Sequence, residues 1–241
     1  LKRESSVGND KVLGAWDGQS EWVINAIIDA ANNHSDVINL SLGTYKARTD
    51  KDEKLMLDAY SKAVKYANKK GAVVVASAGN DASDLDELKR EKLLHLPSGL
   101  PQSVSVSSNT INDTLASYSN FGREIDFSAP GGDMLNNGEV DLFSMIITTY
   151  PSDRGNALLD QLLGIPQGYT LNVGTSLAVP QVSAAAALII SEYKDINGRK
   201  PGVKTTIKYL RDGSVDIGKR GNDDYFGEGK VNAYRSLQKL N

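Results

Sequence analysis

The 241-residue sequence contains no cysteine. Disulfides and thiolate metal sites are therefore excluded, and the fold must stand on its buried core, which a chain of this length can supply. The compartment is left open by this absence, because exported bacterial proteins also do without cysteine. Histidine is almost as scarce, with only His34 and His95. There is no excess of positive charge: 27 Lys and Arg against 30 Asp and Glu give a formal net charge of −3, which argues against a nucleic-acid partner. Apolar runs are short. The most apolar, 184–190, falls far below the ~20 residues of a membrane-spanning helix, so no membrane span is expected. No signal-peptide pattern is present, and Leu1-Lys2-Arg3-Glu4 reads as the middle of a longer polypeptide. What remains, 40% hydrophobic and 24% charged residues with no internal repeat, heptad array or low-complexity tract, is ordinary globular composition.

Residues 1–10 are polar and read as a loose end, and 12–16 read as a strand. Ser20 is a candidate N-cap for a helix carrying Trp22, Ile24, Ala26, Ile27, Ala30 and Ala31 at helical spacing. A β-branched strand follows at 36–41, then an amphipathic helix over 51–70 stopped by Gly71, then the buried strand 72–76. Strand, helix, strand, helix, strand in this order predicts an α/β fold, a doubly wound and mostly parallel sheet with helices on both faces. Residues 80–101, charged and ending among prolines, read as a long surface loop with a helix over 85–93. Short strands are expected at 104–106, 125–127 and 145–149, and helices at 176–193, 203–210 and 231–237.

The chemistry centres on Gly174-Thr175-Ser176-Leu177-Ala178-Val179-Pro180, which opens the alanine-rich helix. In the first helical turn, unpaired backbone N–H groups and the positive end of the dipole stabilise negative charge developing beside a serine oxygen. Gly174 allows close backbone approach. Taken alone, Gly-Thr-Ser is more often a helix cap after a turn. Pro180 counts against that reading, because a proline inside a helix is costly.

The segment resembles the nucleophile motif of the subtilisin-like serine proteases, and four further segments resemble the family's in the same order. Asp36-Val37-Ile38-Asn39-Leu40-Ser41-Leu42-Gly43 is similar to the strand whose Ser-Leu-Gly edge pairs with substrate. Val73-Val74-Val75-Ala76-Ser77-Ala78-Gly79-Asn80 is similar to the oxyanion segment. Phe121-Gly122 with Ser128-Ala129-Pro130-Gly131, and Tyr225-Phe226-Gly227-Glu228-Gly229-Lys230-Val231-Asn232, resemble two later signatures. The resemblance covers residues 10–240. It implies Ser176 as nucleophile, Asn80 as oxyanion donor, and Ser41, Leu42, Gly43, Ala78 and Gly79 as the substrate-aligning edge and S1 walls. The whole chain, 1–241, then corresponds to the C-terminal two-thirds of one catalytic domain.

The family's Asp-[Ser/Thr]-Gly and His-Gly-Thr-His-Val-Ala-Gly motifs are missing. His34, in Asn32-Asn33-His34-Ser35-Asp36, reads as a solvent-facing histidine at a helix end. The expectation is that Leu1 is a cut end and that a retained N-terminal fragment of the same precursor carries Asp and His. A serine without a base is a poor nucleophile, so the chain alone should be nearly inert. Aligning Leu96-Pro97-Ser98-Gly99-Leu100-Pro101 with the family's Tyr-Pro-x-x-Tyr-Pro segment puts His95 at the floor of S1, where it could donate to, or when protonated pair with, an acidic P1 side chain, with Arg90 and Lys92 as helpers. An ordinary loop histidine or a steric filler is the competing reading. Self-cleavage would then place an acidic residue before Leu1.

Gln181 after Pro180 departs from the secreted degradative subtilisins, and Asn39-Leu40-Ser41-Leu42-Gly43-Thr44-Tyr45, Ala129-Pro130-Gly131-Gly132 and Gly174-Thr175-Ser176-Leu177-Ala178 with Pro180 resemble the lanthipeptide (lantibiotic) leader peptidases within the family. That resemblance implies a zymogen with a prosequence, a peptide substrate, and an extracellular or cell-wall-associated place on a Gram-positive cell. No cofactor is demanded by the residues present. The Asp81–Glu91 cluster lacks the alternate ligand spacing of a calcium loop, and the family's calcium loop lies mostly in the missing region, so calcium is not readable. The alternative function is a triad-deficient pseudoprotease that holds an extended peptide by strand addition without cleaving it.

Overall fold

The computed structural model describes residues 19–240 except 137, 154 and 156. The strand expected at 12–16 and the loose end at 1–10 lie outside the described residues. The elements run α1 (Ser20–Asn32), β1 (Val37–Leu40), β2 (Thr44–Ala47), α2 (Lys51–Lys69), β3 (Val73–Ser77), α3 (Leu85–Arg90), β4 (Leu93–Leu96), β5 (Val104–Asn109), β6 (Phe127–Pro130), β7 (Leu135–Asn136), β8 (Glu139–Val140), β9 (Ile146–Thr149), α4 (Leu158–Leu162), β10 (Tyr169–Asn172), α5 (Thr175–Asn197), α6 (Val203–Gly213) and α7 (Ala233–Gln238).

Four strands form a parallel sheet in the order β1-β3-β5-β6. The run of valines in β3 explains how both faces are covered. Val74 and Ala76 point into one core with Ile27 of α1 and Tyr60, Val64 and Ala67 of α2, while Val73 and Val75 point into another with Phe127, Val179, Val182 and Ile189. A strand buried on both faces has no polar face to alternate with, hence the continuous apolar run. Helices on both faces of a parallel sheet give the α/β architecture that the element order predicts.

Three expectations need correction. Ser20 is the first helical residue, not the cap; Gln19 takes the cap position and makes no side-chain cap bond. The 80–101 segment is not simply a surface loop, because it contains β4, which pairs antiparallel with β2 and buries Leu94 and Leu96 against α2. Its three-residue alternation Leu94-His95-Leu96 is too short to stand out in a sequence. Finally, α5 as a whole is long and apolar enough to cross a membrane by length and composition, although its most apolar run is short. Half of that stretch is buried, packed across β1, β3, β5 and β6.

The carboxylates of the Asp81–Glu91 stretch have structural work. Asp84 caps α3 by accepting from the Asp86 and Glu87 N–H groups. Asp86 pairs with Arg123, which holds its carboxyl below the usual range. His34 is exposed just past the end of α1, with a left-handed φ of 60°.

Candidate active site

Ser176 lies in the first turn of α5, where its backbone N–H has no intrahelical acceptor. The preceding Gly174 has φ 148°, a conformation that favours glycine, and its N–H donates to the Gly131 carbonyl at 3.0 Å. Ser176 Oγ donates to the Ser41 carbonyl at 3.2 Å. In return, Ser41 Oγ donates to the Ser176 carbonyl at 2.8 Å. That second bond accounts for Pro180. A residue four positions after Ser176 would ordinarily donate its N–H to the Ser176 carbonyl, and proline has none to give. The freed carbonyl is taken by Ser41, which fastens the end of β1 to the first turn of α5.

Asn80 follows β3 and reaches the same turn. Its Oδ1 accepts from the Thr175 N–H at 2.9 Å and from Thr175 Oγ1 at 2.8 Å. With the oxygen engaged twice, the amide orientation is fixed and Nδ2 is the end left to donate. Ser41, Gly43, Ala78, Gly79 and Asn80, distant in sequence from Ser176, are thus gathered at the C-terminal ends of β1 and β3 because those strands are neighbours. Leu42 is partly buried against the α1–α2 core, and its carbonyl accepts from Ser77 Oγ at 3.3 Å.

His95 is 5% exposed, on β4 opposite Tyr45 of β2, whose ring meets the imidazole edge-on at 4.9 Å. Its Nδ1 contacts Ser98 Oγ at 2.7 Å. The Nε2 edge lies between two glycines: a Cβ on Gly43 would come within 2.4 Å of it, and one on Gly79 within 3.1 Å. The expected S1 walls and the expected floor residue therefore come together. Burial pulls the imidazole from 6.5 down to about 4, against the Asp81 carboxylate, which pulls the other way. At neutral pH the free site thus holds a neutral imidazole, not the cation that sequence reasoning allowed. Arg90 and Lys92 are exposed and not among the groups that touch its ring.

Three residues that sequence reasoning passed over complete the wall. Tyr45 Oη donates to Asp81 Oδ2 at 2.5 Å, and burial with that carboxylate pushes the phenol up to about 12. Asn120 Nδ2 donates to Tyr45 Oη and to the Ala78 carbonyl, both at 2.8 Å. Asn120 Oδ1 accepts from the Asp81 and Ser83 N–H groups. One buried amide thereby fixes the Ala78–Gly79 wall and the Asp81–Ser83 turn. The only sequence signal for Asn120 was its place directly before the Phe121-Gly122 pair.

The sequence profile described as the Subtilase family matches residues 3–229. The chain belongs to the subtilase family. It is 31% identical to the epidermin leader peptide-processing serine protease EpiP of Staphylococcus epidermidis over 95% of its own length and 52% of that protein's. A crystal structure of a lanthipeptide protease matches with a TM-score of 0.91 at 44% identity, covering 96% of this chain and 69% of that one. The nisin leader peptidase NisP of Lactococcus lactis matches with a TM-score of 0.72 at 25% identity, covering 93% and 63%. The chain spans about half the length of the curated relatives it matches. As a subtilase, it places Ser176, Asn80 and the Ser41–Gly43 edge on segments that the family profile covers.

Proposed function

We propose that this subtilase is a serine endopeptidase that works through an acyl-enzyme and removes the leader peptide of a lanthipeptide precursor. The observation that carries the reading is the turn at Ser176, where the nucleophile hydroxyl stands in a helix first turn beside an Asn80 amide already oriented by Thr175. A substrate strand lies along Ser41–Gly43. Ser176 Oγ attacks the scissile carbonyl, and Asn80 Nδ2 with the Ser176 N–H holds the oxyanion. The acyl-enzyme then yields to water. The likeness to EpiP, to the lanthipeptide protease and to NisP supports the leader-peptide substrate, and the organisms of the first and last support an extracellular role on a Gram-positive cell.

The hydroxyl must lose its proton as it attacks. His34 sits beyond the end of α1 and His95 is bedded behind the S1 walls, and the sequence has no third histidine. We assign the base and its orienting aspartate to an N-terminal fragment of the same precursor, a reading supported by the placement of both histidines away from Ser176 Oγ. In S1, a Ser98 hydroxyl donating to Nδ1 leaves the proton on His95 Nε2, at the Gly43 and Gly79 walls, where it meets an acidic P1 side chain. A bound carboxylate favours the imidazolium and raises its pKa from about 4.

The test uses the full-length protein, a fluorophosphonate probe and peptides that differ only in P1 Glu, Gln, Leu or Arg. Ser176 should be labelled, and Glu should be preferred. The Glu-over-Gln ratio should rise as pH falls from about 8 to about 6, a trend lost in His95→Gln. Peptide binding without labelling or cleavage would instead make the protein a triad-deficient peptide holder. Equal turnover of Glu and Gln would remove the acidic preference alone.

A further inference from the structure

The surface beside the nucleophile turn is unlike the rest of the molecule. After β6 the chain makes an excursion through β7, β8, β9 and α4 before β10 returns it to Gly174. Asp160 of α4 is buried and accepts from Thr170 Oγ1 at 2.7 Å and from the Leu171 N–H at 3.2 Å. It covers the outer edge of β10, an edge strand whose N–H groups would otherwise lie open. With Asp160 turned inward, α4 leaves Leu158 and Leu162 outward, 73% and 75% exposed. On the β9–β10 hairpin, Ile147 pairs with Leu171 and Thr149 with Tyr169. The two-residue period of a strand puts these four on one face, where Ile147 is 62% exposed. Phe143, just before β9, is 92% exposed. Apolar side chains scattered singly on a surface need no partner, but this many on one small excursion do.

Charge and position narrow the partner. Within 133–172 the sequence has Asp133, Glu139, Asp141, Asp153 and Asp160 against a single cation, Arg154. Asp133 is buried and takes the Ser117 and Leu135 N–H groups, whereas Glu139 and Asp153 are exposed. The excursion thus exposes several apolar side chains together with the carboxylates Glu139 and Asp153. The S1 walls stand at the ends of β1 and β3, and the excursion leaves the sheet at the end of β6, the opposite edge of the order β1-β3-β5-β6. The nucleophile turn is tied to both sides, through Ser41 and through the Gly174 N–H on Gly131. A peptide whose P1 side chain enters S1 and which passes Ser176 continues towards β6.

We propose that the outer faces of the β9–β10 hairpin and α4 form a docking surface for an apolar, basic tract of the substrate on the C-terminal side of the scissile bond. The proposal rests on the peptidase reading above. It extends that reading from the residue before the cut to the peptide released after it.

The test uses the full-length protein and substrates identical through P2′, continued either by a Leu-, Val- and Lys-rich tract or by a Ser- and Asp-rich one. The apolar basic tract should raise kcat/KM about tenfold, mainly through KM, the effect of ~1.4 kcal/mol. L158S/L162S should abolish that gain and leave cleavage of substrates ending at P2′ unchanged. Ile147→Ser, at an exposed position on the β9–β10 face, should reduce the gain with little effect on folding. A second arm measures fluorescence anisotropy of the labelled tract alone on the full-length S176A protein. Tract binding that L158S/L162S removes supports the surface even if no substrate is ever cleaved, in which case the peptidase reading alone fails. Equal kcat/KM for the two tracts, with cleavage intact, overturns the surface and spares the peptidase. Sedimentation showing a dimer that L158S/L162S dissociates, or tract binding that appears only after another segment of the protein is removed, gives the face to a different occupant and also overturns the proposal.

Discussion

Phe127 and Leu162 both lie on segments that lead along the chain to the Ser176 turn, and they are treated in opposite ways. Phe127 is fully buried on β6, enclosed with Val106, Val179 and Val182. Leu162 is as apolar in chemistry but remains largely in water on α4. Between them, the sheet and α5 give Ser176 a rigid base, while the 133–172 excursion keeps apolar surface available. Burial is a property of the region and not of the residue type. In this molecule the region without burial is the one next to the chemistry.

Five substitutions would sharpen or break that contrast. Phe127→Ala should cost about 3–5 kcal/mol by denaturant unfolding, the sum of lost transfer energy and the cavity left behind. A cost below 1 kcal/mol would mean that the sheet core is loosely packed. Asn80→Ala should reduce kcat by about 10²–10³, or ~2.7–4 kcal/mol, in the full-length protein with little change in KM. An effect on KM alone would give Asn80 a ground-state role. Ser41→Ala leaves the Ser176 carbonyl without a donor, because Pro180 cannot supply one. It should cost ~1–3 kcal/mol in unfolding and lower kcat by displacing the turn. Pro180→Ala restores the backbone donor, so the Ser41→Ala penalty should shrink in that background, as a double-mutant cycle would read out. Leu162→Ser should change stability by no more than about 0.5 kcal/mol. A loss of several kcal/mol would show that α4 packs internally after all, and the two regions would no longer differ in kind.

The legible part of this fold was the part with strong periodicity. The valine run of β3 and the helical spacing of α1, α2 and α5 pointed to a parallel sheet clothed on both faces, and the five collinear motifs led to the turn where Ser176, Ser41 and Asn80 meet. The β2–β4 ribbon was not legible. Each strand has four residues, and their antiparallel pairing joins positions that no local pattern connects. For the same reason Tyr45, Asp81 and Asn120 were missed: each is an ordinary turn or strand residue until the fold brings them within hydrogen-bonding distance. The neutrality of His95 was equally hidden, since it follows from burial, and burial follows from the ribbon. The Ser41–Ser176 link was half visible in the misplaced proline, whose cost was noted without the carbonyl that it frees.

The fit of His95 between Gly43 and Gly79 also constrains how this pocket can diverge. Gly43 cannot gain a methyl while the imidazole stays, whereas Gly79 is held at glycine by Asn120 Nδ2, which would lie 2.2 Å from a Cβ, and by its φ of 105°. Gly43 has no such backbone constraint, so its identity depends mainly on the ring, with the Leu96 carbonyl 3.1 Å from a Cβ as a smaller obstacle. A lineage that exchanged His95 for a small residue would first open a void, and only then could position 43 accept alanine. Taken in the other order, the same two changes pass through an overpacked intermediate. Changes of selectivity at this site are therefore directional, with position 95 moving first.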